Sequence, residues 1–120
     1  MQALVLDHNR DDCAIAMGHL QRAGYETIAV ASLQEAREAL EESAFDLMLL
    51  EMALEDGNGL HLCAEFRERF GNDPIVIIVS HASTSIQRVL SFDLGADDFM
   101  DKPCDGEELL ARIEARRRRR

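Results

Sequence analysis

The chain is expected to fold as one α/β domain, a parallel five-stranded sheet sandwiched between two layers of helices. Three observations carry that expectation. Five short apolar runs alternate with five stretches of helical periodicity, which implies right-handed βαβ units and a sheet covered on both faces. The 120 residues suffice for one core and not for two. Hydrophobic residues make up 47% of the chain, which fits a packed body rather than disorder.

The elements follow in order. Ala3 to Leu6 is a continuous apolar strand, and residues 10 to 23 repeat Cys13, Met17 and Leu20 at helical spacing before Gly24 closes the helix. Tyr25 to Val30 is the second strand, where Thr27 and Ile28 favour extended backbone. Ser32 and Glu35 have capping-box spacing, with Leu33, Ala36 and Leu40 as the apolar stripe behind them. Leu47 to Leu50 is the third strand, and Leu60, Cys63, Phe66 and Phe70 mark the third helix. A turn at Asn72-Asp73-Pro74 leads into Ile75 to Val79, whose five β-branched aliphatics predict burial on both faces. Ile86, Val89, Leu90 and Leu94 mark the fourth helix, stopped by Gly95. Asp98 to Met100 is a short fifth strand. Asp105 to Glu108 caps a fifth helix through Leu109, Leu110 and Ile113. The domain is placed at residues 1–115, with 116–120 an Arg-rich tail or the start of a linker.

Charge is uneven. The formal net charge is -10, but Arg116 to Arg120 hold five of the 13 basic residues, so the body sets eight bases against 23 acids, or -15. Such a body repels nucleic acid, so no direct nucleic-acid partner is expected of it. No apolar run approaches the roughly 20 residues of a membrane span. The N-terminus enters a strand pattern without the features of a secretory signal. Cys13, Cys63 and Cys104 are odd in number and far apart, and read as reduced thiols in a cytoplasmic protein.

Ligands of open α/β sheets sit beyond the carboxyl ends of the strands. There the five strands deliver Asp7-His8, Glu51, Ser80-His81 and Lys102-Pro103. The segment Asp46-Leu-Met-Leu-Leu-Glu51-Met-Ala-Leu-Glu-Asp-Gly-Asn-Gly59 resembles the phosphoacceptor segment of bacterial response-regulator receiver domains. Asp7 matches a metal-site acid of that family, Ser80 its hydroxyl residue, Phe99 the aromatic switch position, Lys102 the lysine, and Pro103 the proline that usually follows a cis bond. Leu94-Gly-Ala-Asp-Asp-Phe-Met-Asp-Lys-Pro103, followed by Glu108-Leu-Leu-Ala-Arg-Ile113, is similar to the branch with winged-helix output domains. The resemblance implies a flavodoxin-like fold with strand order 2-1-3-4-5. It also implies a chemistry. Three acids hold Mg²⁺, the metal and lysine neutralise a transferring phosphoryl group, and a strand-end Asp accepts it. Afterwards hydroxyl and lysine bind the phosphoryl oxygens, and the aromatic residue turns inward.

This chain departs from that pattern inside the pocket. Glu51 stands where the acceptor Asp belongs, moving the carboxylate by roughly 1.5 Å, one C–C bond. A misplacement of about 1 Å can cost on the order of 10²-fold in a positioned reaction. His8 replaces a metal-binding acid with an imidazole poorly suited to Mg²⁺. His81 is expected to crowd the entrance, and Cys104 replaces an aromatic. Asp7 and Glu51 against Lys102 give a net charge of -1, so a degenerate Mg²⁺ site at Asp7, Glu51 and the Ala53 backbone is expected to be weak or empty. Glu51 is long enough to reach Lys102 or Ser80.

The leading expectation is a phosphorylation-independent pseudo-receiver. The alternatives are an ordinary phospho-receiver carrying an acid-to-Glu phosphomimetic substitution, and a transition-metal or small-ligand sensor built on His8, His81, Asp7 and Glu51. An enzyme is disfavoured: there is no GxxxxGK[ST] loop, no GxGxxG after the first strand and no GxSxG elbow. Expected partners are an effector domain or partner protein, a histidine kinase if phosphotransfer survives, and a second copy. That copy would dock through the fourth helix, fifth strand and fifth helix, where Arg88, Asp97, Asp98, Glu107, Glu108 and Arg112 fall. No membrane partner is expected. His19 and His61 read as surface residues, and Asp56, Gly57 and Gly59 as residues serving the loop's backbone angles.

Overall fold

The computed structural model describes residues 1–81 and 83–119; Arg120, the last residue of the expected tail, lies outside the described residues. Five strands alternate with five helices: β1 Gln2–Leu6, α1 Arg10–Arg22, β2 Glu26–Val30, α2 Leu33–Glu42, β3 Leu47–Leu50, α3 Gly59–Phe70, β4 Ile75–Ser80, α4 Ser85–Asp93, β5 Asp98–Asp101 and α5 Gly106–Arg117. A two-residue hairpin, Ala53–Leu54 against Gly57–Asn58, interrupts the connection from β3 to α3. All neighbours in the main sheet are parallel, in the order β2-β1-β3-β4-β5. If the hairpin's two strands are counted in chain order, the same sheet runs 2-1-3-6-7.

Alternation along the strands divides the interior in two. Leu4, Leu6, Met48, Leu50, Val76 and Ile78 point to the side of α2 and α3, where they meet Leu40, Cys63 and Phe66. Ala3, Val5, Leu47, Leu49, Ile77 and Val79 point the other way, against Cys13, Leu20, Leu109 and Ile113 of α1 and α5. Every residue of β4 is buried, as its aliphatic run predicted. By contrast, β2 lies at the edge and is largely exposed.

Helix ends follow from local side chains. Asn9, Ser32, Asn58 and Asp105 each accept a backbone N–H of the helix they precede. Thr84 and Gln87 form a reciprocal capping box at α4 that the sequence reading passed over. Gly95, at φ 110°, takes the left-handed turn that ends α4.

Helix α4 forms where its periodicity marks it, but most of its apolar positions face outward. Its apolar positions Ile86, Val89 and Leu90 are 79%, 61% and 44% exposed, and Phe92 is also exposed. The only buried residue of the helix is Ser91, whose hydroxyl donates to Arg88 O at 2.7 Å. Of the four apolar positions that mark the helix, Leu94 at its end packs against the core, while Ile86, Val89 and Leu90 face outward.

Two of the charges expected on an outer face are also inward. Arg67 of α3 donates to Asp97 Oδ2 at 2.7 Å and to Gly95 O at 2.8 Å, and also to Pro74 O. Asp97 Oδ2 accepts Val76 N–H at 2.9 Å as well. Asp98 is buried and bound by Arg112 through both carboxylate oxygens, at 2.8 and 2.9 Å. Arg112 is held on its other side by Glu108 at 2.8 Å. Glu107 is exposed.

Candidate functional site

Register builds the site. Leu6 pairs with Leu50, so the next residues, Asp7 and Glu51, emerge side by side at the same rim. Glu51 N–H donates to Leu6 O at 2.9 Å, and Asp7 N–H to Val30 O at 3.1 Å, which continues the ladders to the last residue. On the other side Ser80 pairs with Asp101, and Lys102 N–H donates to Ser80 O at 3.0 Å. The hydroxyl and the ammonium are thereby brought to the two acids. The Lys102-Pro103 bond is cis.

Glu51 is buried, and both of its oxygens are engaged. Oε1 accepts Lys102 Nζ at 3.0 Å. Oε2 accepts the Ser80 hydroxyl at 2.5 Å, Met52 N–H at 2.6 Å and Ala53 N–H at 3.4 Å. Lys102, its side chain only 3% exposed, also meets Asp7 Oδ2 at 2.5 Å. Burial alone pulls the lysine's pKa down, but hydrogen bonds and charge from Asp7 and Glu51 outweigh it, so the net shift is upward and the ammonium form is held.

A third carboxylate was missed in the sequence. Asp12 Oδ2 lies 3.1 Å from Lys102 Nζ and 3.6 Å from His81 Nε2. Its signal was local: Asn9 caps α1 and accepts Asp12 N–H at 3.1 Å, which sets Asp12 in the first turn over the rim. With Asp12 included, three carboxylates face one ammonium, and the net charge of -1 expected from Asp7, Glu51 and Lys102 becomes -2. His81 is exposed and sits against Asp12 at the edge, while His8 is exposed outside the cluster, lining a surface groove with Arg10, Cys13 and Met17. His61 is exposed. His19 is half-buried instead, its ring against Gly106 and its Nδ1 2.8 Å from Arg22.

The loop after Glu51 is pinned. Asp56 accepts Leu33 N–H at 3.0 Å and Gln34 N–H at 3.2 Å, and these bonds hold its carboxyl below the usual range. Gly57 holds φ 146°, but Gly59 serves close approach rather than backbone angle: a Cβ there would lie 2.2 Å from Glu51 O. Phe99 is buried, and the Arg88 guanidinium lies 5.1 Å from its ring centroid. Arg88 also binds Asp101 at 2.6 Å and Ser83 Oγ at 3.0 Å. Cys104 is half-buried, and burial pushes its thiol up to about 11.

Mg²⁺ prefers octahedral oxygen ligands at about 2.0–2.1 Å and keeps several waters. The residues at this rim do not fit it. Lys102 Nζ lies against Asp7, Asp12 and Glu51, the remaining Glu51 oxygen is taken by Ser80 and Met52, and position 8 offers an exposed imidazole. A cavity of about 20 Å³ borders Asp7, Asp12, Glu51 and Lys102, and its other walls are apolar, Val5, Ile15 and Leu49 among them. Among the described residues no three His, Cys, Asp or Glu side chains are grouped so as to hold a metal.

Residues 3–114 match the family model described as the response regulator receiver domain. The chain belongs to that family. This receiver domain is 35% identical over 118 residues to the transcriptional regulatory protein GltR of Pseudomonas aeruginosa, covering 97% of this chain and 48% of GltR, so it spans about half the length of that relative. In structure it is similar to a two-component response regulator from Clostridium difficile, with TM-score 0.91, 26% identity and coverage of 99% and 97% of the two chains. A CheY-like receiver domain protein from Methanospirillum hungatei also reaches 0.91, at 24% identity over 98% and 94%, which shows the shared fold. Among the described residues no helix is long and apolar enough to cross a membrane.

Proposed function

We propose that this receiver domain signals without phosphotransfer, Glu51 making by charge the contacts that a transferred phosphoryl group makes in the family. One observation carries the reading: a single buried carboxylate accepts both the Ser80 hydroxyl at 2.5 Å and the Lys102 ammonium at 3.0 Å. These are the two groups that the family resemblance assigns to the phosphoryl oxygens. The inward Phe99, covered by Arg88, agrees with the same switched arrangement.

The output is proposed to be transcriptional, through an effector domain or partner protein, in line with the likeness to GltR. A cytoplasmic setting goes with three free cysteines. A second copy would dock on the face of α4, β5 and α5. Because Arg88, Asp98, Glu108 and Arg112 already pair within the chain, exposed Ile86, Val89 and Leu90 would supply most of its contact.

The test is incubation with acetyl phosphate and Mg²⁺, followed by intact-mass measurement. An unchanged mass is expected. A phosphoryl adduct that disappears in Glu51→Gln overturns the reading and leaves a working acceptor served by a kinase.

A further inference from the structure

Arg88 of α4 holds three partners at once. Its Nη2 donates to both carboxylate oxygens of Asp101, the last residue of β5, at 2.6 and 2.7 Å. Its Nε donates to Ser83 Oγ, in the loop between β4 and α4, at 3.0 Å. The guanidinium carbon lies 5.1 Å from the centroid of the Phe99 ring, within reach of a cation–π contact. The arginine side chain is 43% exposed and Phe99 only 6%, so a half-exposed guanidinium covers a ring closed off from solvent. Phe99 and Asp101 are two residues apart on one strand, which sends their side chains to the same face of the sheet. The carboxylate that fixes the arginine thus stands beside the ring that the arginine covers.

We propose that Arg88 and Asp101 form a latch that keeps Phe99 inward, so that the ring's position is set by this ion pair rather than by the groups around Glu51. The latch deepens the phosphorylation-independent reading and rests on it: a ring held by fixed charges suits a domain whose switch is set without a phosphoryl group. The side chains of Glu51, Ser80 and Lys102 bind one another, and the latch uses none of them. Helix α4 buries only Ser91, and among the described residues Arg88–Asp101 is the one ion pair between α4 and β5. Releasing it frees both the cover over the ring and the helix's charged tie to the strand. An ion pair this exposed and a surface cation–π contact each shift an equilibrium by only a few-fold, so together they favour the inward ring roughly tenfold. That is enough to decide a two-state side chain and too little to decide whether the domain folds.

The experiment is fluorine NMR. The chain has five phenylalanines, so labelling with 4-fluorophenylalanine gives five positions to follow, and Phe99→Leu identifies the line from Phe99. That line is read in light and in heavy water with no phosphodonor present, because a fluorine reached by solvent shows an isotope shift. Wild type and Glu51→Gln should each show one Phe99 line without that shift. Asp101→Asn and Arg88→Gln should each raise the solvent-reached population roughly tenfold, seen as a second line or as an averaged line that moves and gains the isotope shift. The lines of Phe45, Phe66 and Phe70 should hold still, which a general loosening of the core would not allow.

A Phe99 line that stays in place in both latch variants overturns the proposal. So does a Phe99 line that turns outward in Glu51→Gln, since the ring then follows the rim. The two readings fail separately. A phosphoryl adduct on the wild type, with the Phe99 line still released by Asp101→Asn, sinks the phosphorylation-independent reading alone. An unchanged mass, with the Phe99 line indifferent to both latch variants, sinks the latch alone.

Discussion

Single residues set the shape of the rim, and Gly59 shows how tightly. Its N–H donates to Met52 O at 2.7 Å, and any Cβ would strike the Glu51 carbonyl. That oxygen belongs to the backbone of β3's continuation, which cannot swing aside as a side chain would. Gly59→Ala is expected to lose about 1–3 kcal/mol in a urea melt through overpacking, and an unchanged midpoint would mean that the loop yields freely. Cys63 gives a prediction in pH. Burial pushes its thiol up to about 11, so the folded state keeps a proton that the unfolded chain releases. A raised thiol contributes stability in full below the unfolded value near 8.5 and loses it as pH rises toward about 11. Between pH 8.5 and 11, Cys63→Ala should therefore show a shallower alkaline fall in melting temperature than the wild type. Equal slopes would deny that this thiol is titrating. In the sequence Cys63 was legible as a reduced thiol at an apolar helix position, but not the depth of its burial, which depends on what packs above it.

Among the elements, α4 separates pattern from placement. Periodicity located the helix correctly but could not say which way its stripe would face. Ser91 is the buried residue of the helix, while Ile86, Val89 and Leu90 are exposed. Replacing Ile86 and Val89 together by Ser should change stability by no more than about 0.5 kcal/mol, the usual range for exposed positions. The same variant should sediment as a monomer if the exposed stripe is what joins two copies. A large loss of stability would place the stripe in the core after all, and an unaltered association would remove the proposed face. The charged residues around it illustrate the same limit. Asp97 and Asp98 are adjacent in sequence and were expected to act outward. One is bound by Arg67, 30 residues earlier, and the other by Arg112, 14 residues later. Spacing along the chain carries no trace of such pairs.

At the scale of the molecule, the doubly covered sheet orders the stabilities of its strands. β4 is buried throughout and lies between β3 and β5, whereas β2 is an exposed edge. Amide exchange should therefore be slowest in β4, at the rate of global unfolding, and much faster in β2. Comparable protection of both would contradict the edge position as a site of local opening. What the sequence determined by itself was the local physics: strand and helix periods, the N-caps Ser32 and Asp105 of the five observed, and the delivery of Asp7, Glu51, Ser80 and Lys102 to one end of the sheet, since parallel strands all finish on the same side. Tertiary structure decided which groups pair. Asp12 joined the cluster, His8 stayed outside it and Asp97 turned inward, because hydrogen bonds and ion pairs depend on distances across elements that residue order does not encode.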